Sequence, residues 1–178
     1  MSKWKIDPDH SVAAFSVRHL MIANVRGQFN NITGIIHFDP SALSASSVEA
    51  EIDVSGLTTG IKKRDEHLMS PDFFDARKYP KILFKSTKVE PAGGNRGKIT
   101  GDLTIHGITR PVTLEVEFSG PVKSPIGGEI SIGFVGKTNI PNREDFGIIW
   151  NVPMESGGLV AGKEVEITLD IEADLVEP

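Results

Sequence analysis

Two neighbouring stretches, residues 97–106 and 109–120, carry large apolar side chains at alternate positions: Ile99, Leu103 and Ile105 in the first, Val112, Leu114, Val116 and Phe118 in the second. A period of two belongs to a strand with one dry face and one wet face. A tight His106-Gly107 turn joins them. Pro111 stands at the start of the second, where a missing backbone N–H does least harm. The second stretch is also long. Its twelve residues reach roughly 40 Å at ~3.4 Å per residue, whereas typical strands hold only ~5–6 residues.

The same pattern recurs along the chain. In residues 11–19, Ala13, Phe15 and Val17 oppose Ala14, Ser16 and Arg18; Glu49, Glu51 and Asp53 interleave with Val48, Ala50, Ile52 and Val54. Further strands are predicted at 28–38, 81–90, 128–140 and 161–174, the last after a Gly157-Gly158 hairpin. Leu20-Met21-Ile22 breaks the alternation and predicts a short helical or irregular plug. Residues 58–69 predict a helix capped by Thr58 or Thr59, and a turn at 72–75 presents Phe73 and Phe74. Eight strands in turn-connected succession, with no βα repeat, make one antiparallel all-β domain over residues 1–178. Long strands with short hairpins favour an extended eight-stranded up-and-down barrel, with short helices between strands. A Greek-key sandwich is the alternative and needs longer connections.

Eighteen glycines and eleven prolines suit many turns, and 39% apolar with 24% charged residues suits a globular chain. Cysteine is absent, which excludes disulfides, thiol nucleophiles and thiolate metal sites. A net charge of −5 argues against a nucleic-acid partner, and the Lys62-Lys63-Arg64 run is answered at once by Asp65-Glu66. The N-terminus enters structured sequence without the apolar core of a secretory signal, so the chain as written reads as cytoplasmic. A signal removed beforehand would leave the same trace and make it periplasmic.

Alternation assigns the inward face. Phe15, Val17, Phe29, Phe38 and Ile52 come from the first half, and Ile82, Phe84, Leu103 and Ile105 from the middle. Leu114, Val116, Phe118, Ile132, Phe134, Ile167 and Leu169 complete it. Almost nothing in this set makes a hydrogen bond. Two readings stay open: a self-packed core, giving a structural or interaction module, or a dry tunnel for an apolar chain.

Polar candidates are fewer. Asp7, His10, His19, Arg143, Asp145 and Asn151 would grip a head group if they met at one mouth. Otherwise Asp7 and Asp145 serve turns and Arg143 pairs with a carboxylate. His106 is expected to be solvated in its turn. A metal or acid–base enzyme would draw on His10, His19, His37 and His67 with Asp7 or Glu66, but no dense ligand spacing, GxSxG elbow, P-loop or dinucleotide glycine pattern occurs. Neither a catalytic residue, a metal nor a cofactor is expected.

Four segments in series, IDPDHSVAAFSVRHLMIANVRGQF, SPDFFDARKYPKILFKST, GDLTIHGITRPVTL and TNIPNREDFGIIWN, resemble the signature segments of the YceI family across nearly the whole chain. The resemblance implies a lipocalin-like barrel. It also implies an isoprenoid partner, a polyprenyl lipid or an isoprenoid quinone, held by the inward residues for carriage, storage or sequestration. A homodimer and transient contact with a membrane belong to the same expectation.

Overall fold

The computed structural model describes residues 1–178, Glu177 by its backbone alone. Among the described residues, eleven strands form one closed antiparallel sheet: β1 (Ser2–Ile6), β2 (Val12–His19), β3 (Ala23–Phe29), β4 (Ile32–Phe38), β5 (Ser47–Asp53), β6 (Leu57–Thr58), β7 (Lys81–Pro91), β8 (Arg96–Ile105), β9 (Ile108–Lys123), β10 (Ile130–Ile140) and β11 (Ala161–Glu177). The order contains eight staves. β1 lies along the end of β11 (Ile6 opposite Ala173) and β2 along its beginning (Val17 opposite Val165), so the two are one stave with a break. β3 and β4 form the second stave against them, and β5 and β6 the third. Each stave then pairs with its neighbours in sequence, and β11 closes on β1 and β2: an eight-stranded up-and-down barrel without free edges.

Local chemistry makes the breaks. Pro8 has no N–H for a ladder, and Asp7 caps a 3₁₀ turn over Pro8–His10 by accepting from Asp9 N at 2.9 Å. Buried Ser11 bridges the gap: Glu172 N donates to its Oγ at 3.1 Å, and the same hydroxyl reaches Glu172 O at 3.3 Å. Asn31, at φ 57°, breaks the second stave, and an Asp53-capped turn over Val54–Gly56 breaks the third.

Both long connections, 59–80 and 141–160, fall at the same end, here the upper one, with the turns at 20–22 and 106–107. The lower end carries both termini and the turns at 39–46, 92–95 and 124–129. Helix α1 (Lys62–Met69) lies in the first long connection. It starts later than the sequence suggests, because no side chain caps it. Thr59 instead accepts from Arg64 Nε at 2.7 Å and donates from Oγ1 and from N to Asp65 Oδ1 at 2.5 and 2.8 Å.

Two other expectations change. Leu20-Met21-Ile22 is no plug: Leu20 and Met21 sit at positive φ in a tight turn that points apolar side chains outward, Ile22 being 79% exposed. His106 is half-buried against Tyr79, ring centroids 4.7 Å apart, rather than solvated.

Candidate functional site: an apolar bore

Inside the staves runs a cavity of about 470 Å³, within the range of small-molecule sites. Phe15, Val17 and Phe29 form its wall on the first two staves, with Phe38 lower down and Ile52 on the third. Ile82, Phe84, Leu103 and Ile105 continue it across β7 and β8, and Leu114, Val116 and Phe118 across β9. Phe134 on β10 and Ile167 and Leu169 on β11 close the circuit. Thus the period-two reading places these residues on the bore.

Ile132 is the exception. It points inward by parity and is 1% exposed, yet it is no part of the cavity wall. Phe38 meets Phe118 and Phe134 edge-on at 4.9 and 5.4 Å, and these rings floor the cavity on that side. Ile132 stands opposite Ala173 in the ladder, behind that floor, and belongs to the same buried apolar cluster as Trp4. Alternation reports which face a residue takes. It does not report which inward side chains meet the hollow and which are covered by their neighbours.

Two inward glycines help keep the bore open. A Cβ on Gly27 would lie 2.4 Å from Phe15 Cζ, and one on Gly101 would lie 2.5 Å from Phe84 Cζ. Each ring therefore lies flat across a neighbouring strand instead of projecting into the centre. Sequence reasoning passed over these positions, although a glycine in a strand interior is a recognised sign of close approach.

The upper end is roofed by the two long connections. Phe73 and Trp150 meet at 5.2 Å, and His67 stands edge-on to both rings at 5.1 Å, its Nε2 2.8 Å from Asp72 Oδ2. Arg143 holds this roof from beneath. Buried to 6% exposure, it pairs with no carboxylate among the described residues but donates to four backbone carbonyls: Gly162 (2.8 Å), Ile148 (2.7 Å), Trp150 (2.9 Å) and Ala161 (3.4 Å). Burial, partly offset by Glu144, pulls its pKa below the ordinary guanidinium value. Asn151 adds a two-way bond to Ala161, donating to its O at 2.6 Å and accepting from its N at 3.0 Å.

The candidate head-group residues do not all gather at one mouth. His19, Arg143 and Asn151 lie at the upper end. Asp7 and His10 sit outside, at the break in the first stave, with His10 Nδ1 2.6 Å from Asp7 Oδ2. Together with Glu172 they place ligand atoms within 4.8 Å of one another, a cluster none of whose members lines the bore. Asp145 lies in the 3₁₀ turn Arg143–Phe146, capped by Asn142.

Known proteins share this sequence and shape. A family model described as YceI-like domain matches residues 4–173. The UPF0312 protein SA2479 of Staphylococcus aureus is 35% identical over 177 residues, 99% of this chain and 100% of that one. The UPF0312 protein VPA0850 of Vibrio parahaemolyticus is 42% identical over 131 residues, 74% of this chain and 69% of its own. Among solved structures, BcnA of Burkholderia cenocepacia superposes with a TM-score of 0.79 at 26% identity, covering 94% of this chain and 98% of that one. A polyisoprenoid binding domain from Saccharophagus degradans shares the fold, with a TM-score of 0.67 at 13% identity over 99% of this chain and 100% of that one. With its family segments in order around one closed barrel, this chain belongs to the YceI family.

Proposed function

We propose that the bore holds the tail of a long isoprenoid, a polyprenyl chain or the tail of an isoprenoid quinone, and that the protein carries, stores or sequesters it. The carrying observation is the bore itself: hollow, and walled almost wholly by aliphatic and phenyl groups. Such a wall binds by area. About 500 Å² of ligand hydrocarbon at ~25 cal/mol per Å² contributes about 12 kcal/mol before the entropic costs of association. An open cavity counts against the solid-core alternative. The polyisoprenoid-binding domain of Saccharophagus degradans, alike in fold, supports the choice of ligand class. Met21, Ile22, Ile149 and Val152, exposed beside the upper mouth, would meet a membrane surface during transfer.

Titration with prenols of increasing chain length tests the reading. Affinity should rise with each isoprene unit until the bore is full. Affinity independent of chain length, or no binding at all, would remove the proposal.

A further inference from the structure

The ionisable side chains on the cavity wall are all basic, and they are unevenly placed. Arg18, His19, Arg64, His67, Arg96 and Arg143 touch the cavity, and no aspartate or glutamate does among the described residues. The whole chain carries the opposite bias, a net charge of −5. Five of the six belong to the upper end: Arg18 and His19 close β2, Arg64 and His67 lie on α1, and Arg143 lies under the roof. Among the described residues, none of the four arginines has a carboxylate within ion-pair distance. Four acids close by in sequence are engaged elsewhere: Asp65 by Thr59, Glu66 by Lys62, Asp72 by His67 and Glu144 by Lys163.

Arg143 has the strongest position. Its guanidinium is nearly buried, and its four contacts are carbonyl dipoles rather than charges. A buried cation without a counter-ion is costly, and an anion arriving at a low-dielectric mouth recovers part of that cost. Arg64 spends Nε and Nη2 on Thr59, so its Nη1 remains for a ligand. Arg96 stands alone at the lower end, opposite Glu117 in the ladder.

We propose that the ligand is an anionic amphiphile, and that its phosphate, diphosphate or carboxylate head sits at the upper mouth among Arg18, Arg64 and Arg143 while its tail descends the bore. The inference rests on the isoprenoid reading for the tail and selects, among heads, the charged over the neutral. Charge-assisted hydrogen bonds from guanidinium to an oxyanion supply the discrimination.

The test compares geranylgeraniol, geranylgeranyl phosphate, geranylgeranyl diphosphate and palmitate by calorimetry on the full chain. The prenyl phosphates should bind about tenfold or more tighter than the alcohol, the factor that one charge-assisted bond supplies, and the gap should shrink as salt screens it. In the Arg18→Gln/Arg64→Gln double variant the preference should collapse while the affinity for the alcohol stays the same. Arg96→Gln should leave it intact. Both variants keep Arg143, and circular dichroism verifies that they remain folded. Equal affinity for alcohol and phosphate would overturn the anionic head and leave the isoprenoid reading standing. A preference abolished by Arg96→Gln alone would overturn its placement. Palmitate bound tighter than every prenyl compound would keep the anionic head and remove the isoprenoid. Failure of all four to bind would remove both.

Discussion

A methyl group on Gly101 would lie 2.5 Å from Cζ of Phe84 and 2.6 Å from the carbonyl oxygen of Lys85. Neither neighbour yields freely: one is a ring against the barrel wall, the other is backbone. Gly101→Ala should therefore destabilise the protein by about 1–3 kcal/mol, the usual range for overpacking, and press the Phe84 ring into the bore. Urea unfolding measures the first effect, and loss of prenol affinity measures the second.

Ala50 stands across the ladder from Phe84 and lines the same cavity. Ala50→Trp should fill the bore and leave the barrel folded, with prenol affinity reduced at least about tenfold through lost apolar contact. Normal binding in a folded variant would place the ligand elsewhere. Phe84→Asp is the harsher counterpart. It puts a carboxylate on a dry wall and should unfold the protein or abolish uptake.

Arg143 ties four carbonyls of the chain between Ile148 and Gly162 into one roof. Arg143→Met should leave those acceptors unpartnered and cost about 2–4 kcal/mol, since each orphaned buried group is penalised separately and they share one site. Hydrogen exchange should accelerate first across residues 148–162, ahead of the staves.

The break in the first stave is pH-sensitive. The Asp7 hydrogen bond raises the pKa of His10 above its ordinary 6.5, and the same bond lowers Asp7 below 3.8. Glu172 and Asp9 act on His10 in the same direction. Stabilisation from the raised histidine is complete below pH 6.5 and disappears as pH rises through its folded pKa. Stabilisation from the lowered aspartate is complete above pH 3.8 and disappears as pH falls through its folded pKa. The pair is thus strongest between these values. In Asp7→Asn, NMR titration should show the His10 pKa falling toward its ordinary value.

The eight staves were legible because alternation is a local property. Ile167 and Phe84 announce their face from their own neighbours, whichever strands they pair with. The kinks were less legible. β1 and β2 are separate strands locally, and only the shared partner β11 makes them one stave. Most of the bore wall followed from parity, but Ile132 did not, because what covers it, the Phe38, Phe118 and Phe134 rings, is remote in sequence and gathered only by the closed barrel. Arg143 was legible as a polar candidate in a loop, not in its role. Backbone carbonyls leave no trace in side-chain identity, so its partners had to be seen in space.

Native mass spectrometry of the protein, purified gently from cells rich in isoprenoids, reads the content of the bore. A one-to-one adduct is expected, released by organic extraction as a prenyl-chain lipid and missing from Ala50→Trp. A bare protein mass across repeated preparations, with Ala50→Trp indistinguishable from it, would remove the isoprenoid from the bore.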